Sequence, residues 1–133
     1  MRSAVTLLPL VLAGALAGCE SSSTGTIACP TVALPALVLR VLDRTTGAPV
    51  VAGTSATAID GAWSEAFRGP LPELVTDTTA FPFAAAYERP GTYQIEVRAP
   101  GYPVFTIRNV TVTRGRCNVN TVQVTARLVR AAP

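Results

Sequence analysis

Pro90-Gly91-Thr92-Tyr93-Gln94-Ile95-Glu96-Val97-Arg98-Ala99-Pro100-Gly101-Tyr102 is the stretch whose reading decides the fold. Tyr93, Ile95 and Val97 alternate with Gln94, Glu96 and Arg98. That period of two marks a strand with one buried and one wet face. Pro-Gly before it suits the central positions of a type II turn, and Ala99-Pro100-Gly101-Tyr102-Pro103 after it forms a second break. The same pattern extends outward in both directions. Val122, Val124, Ala126 and Leu128 alternate with Gln123, Thr125 and Arg127. Phe105 and Ile107 hold one phase and Val110 and Val112 the other, so a β-bulge or strand break is expected at Arg108-Asn109. Upstream, Leu37, Leu39 and Val41 alternate with Val38, Arg40 and Leu42, a strand apolar on both faces near its middle, closed by the turn Asp43 to Pro49.

The interval from Ala52 to Ala86 is less regular. Ala56 to Ile59 reads as a strand and Asp60-Gly61 as a turn. Further strands are expected near Trp63–Phe67 and Phe81–Ala86, with a proline-rich loop from Gly69 to Pro72 between them and the apolar residues Leu71 and Leu74 nearby. No stretch has a helical period, and eleven prolines and ten glycines in 133 residues oppose long helices. Short strands separated by turns imply an all-β antiparallel sandwich in one domain.

The amino terminus has a different character. Met1-Arg2 is positive, and Ala4 to Ala17 is apolar apart from Thr6. A bilayer span takes roughly 20 residues, so this run has the size of an export-signal core. It ends in Leu16-Ala17-Gly18-Cys19, which closely resembles the lipobox of bacterial lipoproteins. The resemblance implies cleavage between Gly18 and Cys19. It also implies a diacylglyceryl group on the Cys19 sulfur, a separate acyl chain such as palmitate elsewhere on Cys19, and a membrane anchor. Residues 1–18 are then a signal peptide. Residues 19–28, with Glu20-Ser21-Ser22-Ser23-Thr24-Gly25-Thr26, form a lipidated flexible tether, and residues 29–130 form the sandwich. Glu20 is not the aspartate that signals inner-membrane retention in enteric bacteria, which favours an outer membrane where the cell has one.

Export also bears on the two remaining cysteines. An oxidising compartment pairs thiols, and with Cys19 acylated a Cys29–Cys117 disulfide is the available pairing. Two free thiols or half a metal site is the alternative, but the chain has no histidine and lacks further cysteine ligands. No metal or other cofactor is expected beyond the covalent lipid.

Three further stretches resemble carboxypeptidase regulatory-like domains over roughly residues 36–128. Val38-Leu39-Arg40-Val41-Leu42-Asp43 with Thr46-Gly47-Ala48-Pro49-Val50 is similar to their first strand and the "TG-x-PV" turn that starts the second. Gly91-Thr92-Tyr93 through Gly101-Tyr102 is similar to their "G-x-Y" segment, and Val110-Thr111-Val112 leads to the closing strand. Prealbumin-like and collagen-adhesin B-type repeats share these motifs. The resemblance implies a seven- or eight-stranded transthyretin-like β-sandwich. Val51-Ala52-Gly53 departs from the family pattern and weakens the second strand. Gly47 and Gly91 stand where turns need backbone freedom, and Tyr93 is expected inside with its hydroxyl on a nearby loop.

Function follows from what is missing as much as from what is present. Without histidine the commonest general base and metal ligand are gone. A transthyretin-like hydrolase would need histidines and a C-terminal Tyr-Arg-Gly-Ser motif, and this chain has neither. Asp43, Asp60 and Asp77 are isolated acids near turns, and no loop has calcium-binding spacing, which weighs against a calcium-stabilised adhesive repeat. The net charge of +3 comes from arginines scattered along the chain, a pattern that excludes a nucleic-acid surface. No catalytic residue is expected. The reading is a lipid-anchored, non-catalytic binding or accessory module for an envelope protein, peptide or glycan, with Trp63, Phe67 and Tyr102 as candidate contacts. Asn109-Val110-Thr111 fits the glycosylation triplet, taken here as chance.

Overall fold

The computed structural model describes residues 25–71 and 82–133. The export segment, Cys19, its cleavage site and most of the tether lie outside the described residues, as do Pro72, Leu74, Asp77 and Phe81. The described residues are all-β. Seven strands run β1 (Leu37–Asp43), β2 (Ser55–Asp60), β3 (Trp63–Ala66), β4 (Phe83–Ala85), β5 (Gly91–Arg98), β6 (Phe105–Val112) and β7 (Val122–Leu128). They form two sheets, ordered β4-β1-β7 and β3-β2-β5-β6, packed as a sandwich. No helix among the described residues is long and apolar enough to cross a membrane.

Alternation supplies the core. Tyr93, Ile95 and Val97 of β5 are buried and face Leu37, Leu39 and Val41 of β1, with Ala56, Ala58, Ala126 and Leu128 filling the layer. β1 is apolar on both faces because it is the middle strand of its sheet. Its outward Val38, Arg40 and Leu42 are themselves half-buried. The alanines opposite these large residues let the two sheets approach, as a densely packed interior requires.

Several expectations are met. β2 and the Asp60-Gly61 turn fall where alternation and turn chemistry put them. The phase shift in β6 is a bulge: Arg108 and Asn109 together oppose Gln94, between the pairs Tyr93–Val110 and Ile95–Ile107. Asn109 takes a positive φ of 58° there, which an asparagine tolerates better than most residues.

Three expectations need correction. The sandwich is not antiparallel throughout, because β1 and β7 pair in parallel from Leu37–Val122 to Asp43–Leu128. A parallel pair needs a long crossover, and here every other strand lies between the two in sequence. The second strand does not start at the Pro49-Val50 turn. Pro49 makes only an isolated bridge to Leu42, Ala52-Gly53 form another turn, and β2 begins at Ser55. Pro90-Gly91 is not a turn centre. The chain reverses at Tyr87-Glu88, with Ala86 and Glu88 at positive φ and an Arg89 N–H to Ala86 carbonyl bond of 3.2 Å. Gly91 is instead the first residue of β5, and it is needed for space: a Cβ there would stand 2.6 Å from Asp60 Oδ2 and 3.1 Å from the Arg89 guanidinium. Gly47, by contrast, does use its freedom, at φ 72°.

The strand directions define two poles. β1, β5 and β7 start at one pole, where β6 ends and the chain arrives from residue 25. Call this the near pole. The far pole holds the turns 44–54 and 99–104 and the carboxyl terminus, roughly 20 Å away along β1.

Candidate functional site

At the far pole β1 ends on Asp43, a charged side chain that is only 4% exposed. Its Oδ1 accepts the N–H groups of Thr45 (2.8 Å) and Thr46 (3.0 Å), which shapes the turn. Its Oδ2 accepts the Tyr102 hydroxyl at 2.6 Å and faces Arg130 Nε at 3.3 Å. The Arg130 guanidinium lies 5.1 Å over the Tyr102 ring. Three segments far apart in sequence thus converge on one carboxylate. Pro100 packs over Gly53, where a Cβ would come within 2.8 Å of it. Between these loops a cleft of about 260 Å³ is lined by Asp43, Thr46, Pro49, Val50, Val51, Pro100, Tyr102 and Arg130.

The electrostatics of the cleft follow from those bonds. The Tyr102 hydroxyl, then the Thr46 and Thr45 amides, hold the Asp43 carboxyl down to about 2 against the usual 3.8, overcoming the opposing effect of burial. The same hydrogen bond pushes Tyr102 up, with burial acting in the same direction. Near neutral pH the pair is therefore a carboxylate and a protonated phenol that stabilise one another. Such a pair can orient a ligand and is poorly placed to exchange protons with it. Arg130, with its side chain 72% exposed, is the charged group at the rim.

A second hollow, about 360 Å³, lies on the outer face of the four-stranded sheet. Ile59, Gly61, Thr92, Gln94, Arg108 and Asn109 are among its lining residues, and the β6 bulge lies beside it. Arg108 donates to Gln94 Oε1 at 2.6 Å across the bulge.

The three contact residues expected from sequence are not brought together. Trp63 sits at the near-pole end of β3, half-buried and edge-on to Tyr93 at 5.8 Å, with the Arg89 guanidinium 4.1 Å over its ring. Arg89 also pairs with Asp60 at 2.7 Å, and Tyr93 donates its hydroxyl to the Arg89 carbonyl at 2.6 Å. The loop expected to satisfy Tyr93 is therefore the 87–90 turn. Phe67 packs half-buried against the core. Tyr102 alone belongs to the far-pole cleft. Asp43 is held in its turn and by Tyr102, and Asp60 pairs through Oδ2 with Arg89. Arg130 is the cleft residue that the sequence reading missed. It lies past the last strand, with no motif to mark it.

The other two cysteines meet as expected. Cys29 and Cys117 form a disulfide with Cα atoms 5.2 Å apart, closing a separation of 88 residues. Around it Glu88 ties the near pole together. Its Oε1 accepts from Leu34 N–H (2.7 Å) and Asn118 Nδ2 (2.7 Å), and its Oε2 from Val119 N–H (3.3 Å). These bonds, that of Asn118 foremost, lower the Glu88 pKa.

Among the described residues, fold and site together define a disulfide-bridged β-sandwich of seven strands with a loop cleft at one pole. No family model and no curated protein matches the chain. A solved structure from Bacteroides uniformis, a "putative carbohydrate binding protein", is similar at a TM-score of 0.44 and 11% identity. The similarity covers 73% of this chain, which spans only 43% of that protein's length. So distant a likeness says nothing of what this chain binds.

Proposed function

We propose that this chain is an envelope lipoprotein, exported by residues 1–18 and anchored through lipid on Cys19. Its sandwich is then a carboxypeptidase regulatory-like, non-catalytic binding or accessory module. The observation that carries the reading is the Cys29–Cys117 disulfide. Such bridges belong to oxidising compartments, in agreement with an export signal. The bridge also uses two of the three cysteines and leaves the lipobox cysteine for acylation. Binding is favoured over catalysis by the far-pole cleft, where Asp43 and Tyr102 lock each other in the protonation states least useful for proton transfer. Since the chain enters at the near pole, an anchored domain presents this cleft away from its anchor. There it would meet another envelope protein, a peptide or a glycan.

The test is made in a bacterial host. The wild-type chain is expected to take up labelled palmitate, to show the mass of a lipidated Cys19 amino terminus, and to fractionate with membranes. Cys19→Ser is expected to lose all three. Equal membrane association of the serine variant, or an unmodified amino terminus in the wild type, would sink the anchor. Crosslinkers placed at Val51 and Thr46 then report the partner. Capture through those positions, abolished by Tyr102→Ala, supports the cleft as the binding surface.

A further inference from the structure

The near pole carries a surface that the proposed function leaves unused. Four of the six large hydrophobic side chains exposed among the described residues lie there: Val32 (65%), Ile27 (46%), Leu34 (41%) and Tyr87 (38%). The other two, Val104 and Val129, sit at the far pole. Hydrogen bonds gather Val32, Leu34 and Tyr87 into one patch, and the disulfide holds Ile27 on the same pole. Glu88 N–H donates to the Leu34 carbonyl at 3.0 Å, which lays the 32–34 segment beside Tyr87. Asn118 Nδ2 donates to the Val32 carbonyl at 2.9 Å, and the disulfide fixes Cys29 two residues past Ile27. Arg114 and Arg116 are exposed on the adjoining loop, where Arg114 donates to the Glu88 carbonyl at 3.2 Å. The two described carboxylates at this pole are already partnered: Asp60 by Arg89, and Glu88 by Leu34, Asn118 and Val119.

We infer that this pole rests on the surface of an anionic lipid bilayer. Ile27, Val32, Leu34 and Tyr87 meet the headgroup boundary, and Arg114 and Arg116 meet lipid phosphates. The inference builds on the reading of Cys19 as the anchor, and chain length selects the occupant. Cys19 precedes Cys29 by ten residues, and a Ser/Gly-rich coil of that length has a mean span of roughly 17 Å. The lipid therefore holds this patch, rather than the far pole, within reach of the bilayer. Tethering supplies an effective concentration in the millimolar range, so a patch of weak intrinsic affinity stays engaged. An aromatic ring, aliphatic side chains and arginines together are the composition that suits a membrane interface. Docking also fixes orientation, with the Asp43–Tyr102–Arg130 cleft facing away from the lipid.

The experiment uses the chain from Cys19 onward, which keeps all seven strands and the bridge. Its Cys19 thiol is coupled to maleimide lipid in vesicles of phosphatidylcholine alone or mixed with phosphatidylglycerol. Coupling replaces biological acylation, so docking is judged separately from the anchor. An absent native lipid would show instead in the mass of the host-made protein. Amide exchange on the mixed vesicles is expected to slow at 27–34, 87–88 and 114–119 and to stay unchanged at 99–104 and 129–133. Each arginine contributes roughly a fivefold factor on an anionic surface, so the Arg114→Gln, Arg116→Gln pair should cut the docked fraction sharply and phosphatidylcholine alone should do the same. Val32→Ser, at a side chain too exposed to support the fold, should weaken docking without changing the melting temperature. Equal exchange at the two poles, protection at the far pole, or indifference to all of these changes would overturn the inference.

Discussion

Reducing the Cys29–Cys117 bridge should remove a large share of the stability of this sandwich, and the size of the effect can be worked out. The bridge closes 88 residues. In the chain-entropy treatment a loop of that length costs the open unfolded chain about 15 cal/mol/K, or about 4.6 kcal/mol at 25 °C. The position of the bridge makes most of this real. It sits where β1 and β7 begin, and those strands form a parallel pair that brings together the two ends of the fold. Without the bridge, that pairing alone bears the entropy of closing the chain. The near pole keeps the Glu88 hydrogen bonds and Thr121 Oγ1 to the Pro35 carbonyl at 2.7 Å, so the native state should survive at lower stability. Real bridges often fall short of the entropy figure, and a loss of about 3–5 kcal/mol is expected from a domain whose total is on the order of 5–15 kcal/mol. The assay is urea unfolding at neutral pH, followed by Trp63 fluorescence and circular dichroism. The oxidised protein is compared with its reduced form and with Cys29→Ala, Cys117→Ala. The open chain should also show a larger m-value, because its unfolded state exposes more surface. A difference under about 1 kcal/mol with equal m-values would refute the reasoning and leave the β1–β7 pairing to local contacts.

Acid should separate Asp43 from its variant. Because its folded pKa is depressed, the stability it contributes is present above the usual 3.8 and is lost as the pH falls through about 2. Melting temperatures between pH 6 and 2 should fall less steeply for Asp43→Asn than for wild type, and Tyr102→Phe should shift the acid transition to higher pH. Gly91→Ala should cost only about 0.5–1 kcal/mol, because the Cβ meets the ends of the Asp60 and Arg89 side chains, which can swing aside at the expense of their partly exposed ion pair, and Trp63 fluorescence should change with the disturbed stack. Gly47→Ala meets no atom within 4 Å but keeps φ 72°, so its cost in chemical denaturation should be about 1–2 kcal/mol from backbone strain alone. Leu39→Ala, at a fully buried position, should cost about 2–5 kcal/mol in the same assay.

Much of the fold is legible in the chain. Period-two alternation around Tyr93, Val124 and Leu39 specifies strands and their buried faces, because a strand with one wet side must alternate. The phase break at Arg108-Asn109 announces a bulge for the same reason: inserting one residue swaps the faces. Turn chemistry located Gly47 correctly and misplaced the turn at Pro90-Gly91. A glycine kept for backbone freedom and one kept for lack of room look alike in sequence. Gly91 is the second kind, and the atoms that crowd it come from Asp60, some 30 residues upstream.

By itself the sequence determined the class of fold and the pair of cysteines able to bridge, since each depends on local pattern or composition. Only the tertiary structure decided that β1 and β7 run parallel, that Arg130 and Tyr102 meet on Asp43, and that Val32, Leu34 and Tyr87 share a patch with Arg114. These are encounters between residues separated by tens of positions. Their partners are selected by packing and loop closure, which no local spacing encodes.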